Sequence, residues 1–256
     1  MPVHQMKTLY LTISLFFIFT FCKAQDHFLT RNSFISASFL QIKESANFGL
    51  TFKGPSFYYG MTWNSGNAKR LITYEYELSL GVLFSRDIPA LGFYMKPVDI
   101  SYMYKFPVSN NIILFGPSLK LEYNYNLYPD LQSGFDYWFT NTALGVNALY
   151  EFYYGNSAFH IRVNTSLAGF TSRQPDYRDP YFYDIGVKHA IKHLNQSLTF
   201  GSFNRFNTTC LELLWKSGPD ARTTLGYVMK YYGYYKSPEI TIVNHSIKLI
   251  VNKKKK

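Results

Sequence analysis

Cysteine is nearly missing from this 256-residue chain, which has two, Cys22 and Cys210. Cys22 lies in an N-terminal apolar stretch that reads as removable. Without it Cys210 stands alone, so no intramolecular disulfide can form and a disulfide-stapled secreted scaffold is excluded. Charge is scarce as well, at 16%, where soluble domains carry about 25%. After the N-terminus no stretch reaches the roughly 18 apolar residues of a membrane-spanning helix. Internal repeats, disordered linkers and composition breaks are also lacking, so nothing divides the chain into domains. Acid is the scarcer sign of charge, with 16 Asp and Glu against 26 Lys and Arg, a net +10. Four of those cations form the terminal run Lys253-Lys254-Lys255-Lys256. A basic tail reads as a solvated end, and contact with anionic lipid or another anionic polymer is the sharper alternative.

What the chain has in abundance is aromatic residues, at 19%, with 23 Tyr and 23 Phe. Many aromatics, little charge and no helical span together favour a β-rich protein that faces lipid. The N-terminus reads as a secretion signal. Met6-Lys7 is a short basic start, Leu9 to Phe21 an apolar core, and Cys22-Lys23-Ala24 offers small residues before a cut after Ala24 or Gln25. The apolar run is short for a retained anchor, and Phe21 is too bulky for the residue preceding a lipidated cysteine. Residues 1–25 are therefore expected to be removed, leaving 26–256 as one domain with a short basic C-terminal tail.

The strand signal is alternation. In Ser118–Tyr128 the odd positions are Leu119, Leu121, Tyr123, Tyr125 and Leu127, and the even ones are Ser118, Lys120, Glu122, Asn124 and Asn126. Successive strand side chains point to opposite faces, so one face is apolar and the other polar and charged. Leu71–Phe84 repeats the pattern, with Thr73, Glu75, Glu77 and Ser79 alternating with Ile72, Tyr74, Tyr76 and Leu78. Further strands are expected at Ser33–Lys43, Asn47–Trp63, Leu91–Phe106, Ile112–Tyr128, Trp138–Tyr153, Ala158–Phe170, Gln196–Trp215, Thr224–Tyr235 and Ile240–Val251. Asp87-Ile88-Pro89 reads as a turn. The apolar phase changes at Gly54-Pro55, and Gly116-Pro117 interrupts its strand, so both read as bulges. Thr171–Asn195 is the longest non-strand segment and ends in a stretch compatible with a short helix, Tyr183–Leu194.

With those bulges the count is ten. The fold class expected is all-β, a single transmembrane antiparallel up-and-down β-barrel; eight or twelve strands remain open, since a hairpin at Gly54-Pro55 would change the parity. Ten strands put the two longest loops, Pro129–Tyr137 and Thr171–Asn195, on one side. The short turns Val108–Asn111, Tyr154–Ser157 and Ser217–Asp220 fall on the other side with both termini, as in bacterial barrels with both ends in the periplasm. Closure pairs every backbone donor, which lipid demands, and the tyrosines suit aromatic girdles. The expected location is the cell outer membrane.

The last strand resembles the outer-membrane assembly signal, a polar residue followed by a small residue and spaced apolar residues, in Asn244, Ser246, Leu249 and Val251. Ser stands in place of glycine and Val in place of the usual terminal aromatic. Together with the Ala24-Gln25 signal end, the Tyr-rich strands and Tyr128-Pro129-Asp130-Leu131-Gln132-Ser133-Gly134, the chain resembles small outer-membrane β-barrels of Bacteroidota. That resemblance implies fold and location, not an activity. The partners it implies are outer-membrane lipids and the outer-membrane assembly machinery; nucleic acid is not expected, and a membrane-protein partner is left open.

Catalytic patterns are poorly matched. Outer-membrane lipid hydrolases resemble one another in a His-x-Ser pair, in which i, i+2 spacing puts nucleophile and base on one face. Here His160 is followed by Arg162, and Ser166 lies about 20 Å along the strand. These two are the candidate catalytic residues of the alternative reading, a membrane-embedded lipid hydrolase. The Asp-x-Asp and Asp-x-His pairs of ten-stranded outer-membrane proteases are absent. His189 and His193 have i, i+4 spacing but no acid between them and lysines beside them, so a solvated loop face is preferred to a metal site. No cofactor or metal is expected. The inward row is expected to be a lumenal polar network of Glu75, Glu77, Lys120, Glu122, Glu151, His160, Arg162, Glu212, Lys230 and Lys248, pairing opposite charges and plugging a narrow barrel. The preferred reading is a barrel without an evident catalytic site, either a narrow channel or a surface binding or scaffold barrel.

Overall fold

The computed structural model describes residues 28–45, 49–130, 135–173, 198–218, 221–236 and 239–253. They form eleven strands: β1 (Phe28–Glu44), β2 (Thr51–Gly66), β3 (Arg70–Ser85), β4 (Ile88–Val108), β5 (Asn111–Tyr128), β6 (Phe135–Tyr154), β7 (Ser157–Arg173), β8 (Thr199–Ser202), β9 (Phe206–Lys216), β10 (Thr223–Tyr234) and β11 (Ile240–Lys253). Every pairing is antiparallel between neighbours, and β1 meets β11 from Arg31↔Lys253 to Glu44↔Ile240, which closes the sheet. β8 and β9 both lie on β7 and form one stave, parted at Phe203–Arg205. The fold is a closed ten-stave antiparallel barrel. Among the described residues no helix is long and apolar enough to cross a membrane.

Alternation decides which way each stave faces. Leu119, Leu121, Tyr123, Tyr125 and Leu127 point outward, while Ser118, Lys120, Glu122, Asn124 and Asn126 are buried inside. The same holds around the ring, where Leu80, Leu144 and Ile247 are each more than 60% exposed on the outer surface. Glu75, Glu77, Lys96, Asp99 and Glu212 are buried within. Buried polar residues outnumber buried apolar ones among the described residues, the reverse of a water-soluble core.

Several boundaries differ from the sequence reading. β1 begins at Phe28 rather than Ser33, because Phe28–Asn32 pairs with Thr62–Gly66 of β2. β6 begins at Phe135, which shortens the loop after β5. Thr171–Arg173 extends β7. Gln196–Trp215 is not one unbroken strand. The β3–β4 turn is Arg86-Asp87, with Arg86 at φ 54°, and Ile88 and Pro89 pair with Ser85 and Phe84. The signal segment 1–25, the stretch Tyr183–Leu194 with His189 and His193, and residues 254–256 lie outside the described residues.

The two expected bulges are not bulges. β2 runs through Gly54-Pro55 in constant register with β1, and β5 runs through Gly116-Pro117 in constant register with β6. The phase change in β2 has another cause: Phe52 points inward, into an apolar cluster inside the barrel, while Phe57 and Tyr59 point outward. The true irregularities lie elsewhere. In β4 an extra residue at Lys96-Pro97 shifts the register against both β3 and β5. In β7 the extra residue is Leu167, opposite Leu144 and Gly145. Proline lacks the N–H that a ladder needs, so Pro97 suits the unpaired position of a bulge.

Candidate functional site: the barrel lumen

The lumen has three zones along its axis. Glu75 and Glu77 on β3, Lys96 and Asp99 on β4, Arg162 on β7, Glu212 on β9, Lys230 on β10 and Lys248 on β11 meet at mid-barrel. Lys96 Nζ lies 2.5 Å from Glu75 Oε1, 3.1 Å from Asp99 Oδ2 and 3.4 Å from Glu77 Oε2. Lys248 Nζ donates to Glu212 Oε1 at 2.6 Å, and Lys230 pairs with Glu77. Lys230 and Lys248 also sit over the rings of Tyr58 and Phe34, at 4.5 and 4.0 Å from the centroids, where the ring faces attract a cation. Buried charge is tolerated only when it is paired and hydrogen-bonded, and this layer pairs it from six staves. The space left within it is about 30 Å³, room for a water or two.

The bulge at Lys96-Pro97 makes the layer possible. Residues three apart on a regular strand face opposite ways, but the extra residue turns both Lys96 and Asp99 inward. The sequence reading missed Lys96 for that reason; the proline after it was the available signal.

Towards the end that carries the longer loops the lumen is apolar. Leu40, Ile42, Phe52, Leu83, Tyr128, Phe139, Ile240 and Ile242 pack there, with the Phe52 and Tyr128 rings 4.7 Å apart. Glu44 lies among them, 1% exposed. Its carboxylate accepts from Tyr128 Oη at 2.9 Å and from Arg173 Nη1 and Nη2, each at 3.3 Å. Sequence reasoning missed this pair too, because it is 129 residues apart in the chain and Arg173 sat in what read as loop.

The opposite end, with the short turns, holds a cavity of about 490 Å³. Leu71, Met103, Leu114 and Leu149, from the consecutive strands β3 to β6, form one wall; Thr30, Asn32, Thr62, Asn64 and Thr73, from β1 to β3, form the adjoining one. The cations Lys105, Arg162, Lys216, Arg222 and Lys248 line it against the carboxylates Glu75, Glu151 and Glu212, five to three. Arg162 stands at the inner limit, shared with the charged layer. Its Nε donates to Asn147 Oδ1 at 3.2 Å, while Nη1 comes no nearer than 3.8 Å to Glu75 and Glu212.

Of the residues expected inside, Glu75, Glu77, Arg162, Glu212, Lys230 and Lys248 are brought together. Lys120 and Glu122 are buried in the lumen but join differently. Glu122 is held by neutral donors, Tyr94 Oη at 3.1 Å and Asn141 Nδ2 at 3.3 Å. Lys120 lies opposite Asp99 in register without an ion pair within 4 Å among the described residues. Glu151 and His160 stand apart, paired at 3.7 Å near the short-turn end and partly exposed. His160 and Ser166 do not meet: Ser166 is buried deeper along β7, and its Oγ accepts the Thr208 N–H at 2.9 Å. A serine so held has no base beside it. Cys210 is a free thiol on the inner face. No group of three or more His, Cys, Asp or Glu among the described residues could hold a metal ion.

Comparison with known proteins finds likeness in structure alone. No protein-family profile matches the chain, and no curated protein matches it. Solved structures that align with it are bacterial outer-membrane barrels. Neisserial surface protein A is 10% identical, with 86% of this chain and 96% of that one covered and a TM-score of 0.38. The β-domain of the Bordetella autotransporter BrkA is 8% identical, with 87% and 99% covered and a TM-score of 0.42. The Escherichia coli outer-membrane protease OmpT is 6% identical, with 89% and 96% covered and a TM-score of 0.41. Such values transfer no site or activity to this chain.

Proposed function

We propose that this chain is exported by residues 1–25 and sits in the bacterial outer membrane as a closed-lumen barrel, a surface binding or scaffold protein and not an open channel or a hydrolase. The observation that carries the proposal is the inverted polarity: a ring of exposed Leu, Ile, Val, Phe and Tyr outside and a buried charge layer inside. A continuous apolar outer belt is costly in water and favourable in lipid. Strands of 16–21 residues in β1–β7 exceed the roughly 9–11 needed to span a bilayer, so the barrel stands proud of the membrane. Even strand number, with the longer connections at one end and the short turns, the start of β1 and the end of β11 at the other, supports long loops outside and termini in the periplasm.

The closed lumen argues against the narrow-channel reading, since ion pairs fill the middle and an apolar cluster caps the long-loop end. The separation of His160 from Ser166 argues against the hydrolase. Membrane placement is tested by fractionation and by electrophoresis with and without heating. The protein should partition with outer membrane and change mobility when boiled in detergent; recovery as soluble periplasmic protein with no heat shift would refute the proposal.

A further inference from the structure

We infer that the cavity at the short-turn end is a binding site for a small organic anion with an apolar body, such as a medium-chain carboxylate or alkyl phosphate. Which compartment it opens to rests on the membrane reading above; the pocket itself rests on barrel geometry. Its volume, about 490 Å³, is in the range of small-molecule sites, which are concave, mostly apolar and fitted with a few convergent polar groups. Leu71, Met103, Leu114 and Leu149 supply a contiguous apolar wall. Beside the charged layer, that wall gives an alkyl or aryl group somewhere to leave water.

The charge in the pocket selects the sign of the ligand. Arg162 is the decisive group. It is mostly buried, with 15% of its side chain exposed. Asn147 orients it through Nε, and neither Nη makes a hydrogen bond among the described residues. Nη1 faces Glu75 and Glu212, each at 3.8 Å, beyond hydrogen-bond distance, so a planar guanidinium fixed at Nε keeps donor capacity on both outer nitrogens for a carboxylate or phosphate. Lys248, beside it, is already committed to Glu212 at 2.6 Å. Arg222, exposed at the mouth, adds a second positive group that draws an anion inward. The apolar cap at the far end makes the pocket blind, so ligand enters and leaves by the short-turn end.

The test uses the whole folded protein in nanodiscs, titrated calorimetrically with octanoate, octyl phosphate, octanol and octyltrimethylammonium. Either anion should bind at least tenfold more tightly than octanol, and the cation should not bind. Arg162→Gln should lose at least tenfold for the anions. Leu149→Trp, which fills the apolar wall and leaves Arg162 in place, should abolish binding. A heat shift identical to the parent's shows that each variant is folded, so failure of the binding site is separable from failure of the barrel. Repeating the titration with phosphatidylglycerol in place of phosphatidylcholine distinguishes the source: weaker octanoate binding points to a lipid headgroup as competitor, unchanged binding to a soluble anion. No anion binding, equal uptake of octanol and octanoate, or binding that survives both substitutions would overturn the inference.

Discussion

At the scale of single residues, the lumen separates charges held by opposite charges from charges held by neutral donors. Lys96 touches three carboxylates. Lys96→Met leaves Glu75, Glu77 and Asp99 with one cation fewer, and removing one partner of a buried pair costs about 3–5 kcal/mol. Urea unfolding in detergent micelles should register that loss. Glu122→Gln keeps an acceptor for Tyr94 and an amide that can face Asn141, so about 1 kcal/mol is expected; an equal loss for both variants would refute the distinction. Ser109, at φ 55° between β4 and β5, carries a left-handed backbone that costs a non-glycine residue roughly 1–2 kcal/mol. Ser109→Gly should therefore stabilise the barrel by about 1 kcal/mol, and a destabilised variant would show that the hydroxyl matters more than the strain. The alternation in the sequence made Lys120, Glu122, Glu75 and Glu77 legible as inward residues. It could not show how they pair, because parity gives a face and not a height along the axis. Glu151 and His160 share the inward face with Arg162 yet lie near the barrel mouth, away from the charged layer.

At the scale of strands, the informative departures from alternation are not the ones marked by glycine. Gly54-Pro55 and Gly116-Pro117 look like breaks, but both strands run straight through. Gly116 is on the inner face, where a Cβ would run into the Tyr102 carbonyl oxygen, so the glycine is there for close approach of two backbones and not for a bulge. Gly116→Val should cut the yield of heat-modifiable protein sharply; normal yield would mean that β4 and β5 can move apart. Pro97 works in the opposite sense. Deleting it would leave Lys96 and Asp99 two positions apart and both still inward, but would remove the local bend and added twist that the bulge gives β4. Loss of the heat-stable form is expected, and a variant that still assembles would show that the bulge is dispensable. The inner face also changes character along its length, which a periodicity argument assuming one polar face cannot see. Phe52 and Leu83 are apolar and inward because the lumen near the long loops is itself an apolar core.

At the scale of the whole molecule, closure between β1 and β11 places Cys210, the single thiol after residue 25, on the inner face. A polymer-linked maleimide should label it only after the barrel is unfolded; labelling of the native protein would mean that β9 opens to solvent. The three lumenal zones together describe a barrel blocked twice, by paired charge at mid-height and by the apolar cap with Glu44 and Arg173, and open only as a blind cavity. Fold class, strand number and the sidedness of the loops could be read from the chain because each depends on local alternation and turn placement. The cap and the cavity could not, since each is assembled from residues spread over most of the strands. The most direct measurement of a closed lumen is planar-bilayer recording on purified protein shown by its heat shift to be folded. Insertion without stable conductance steps is predicted; reproducible open-channel steps from the native protein would contradict the account.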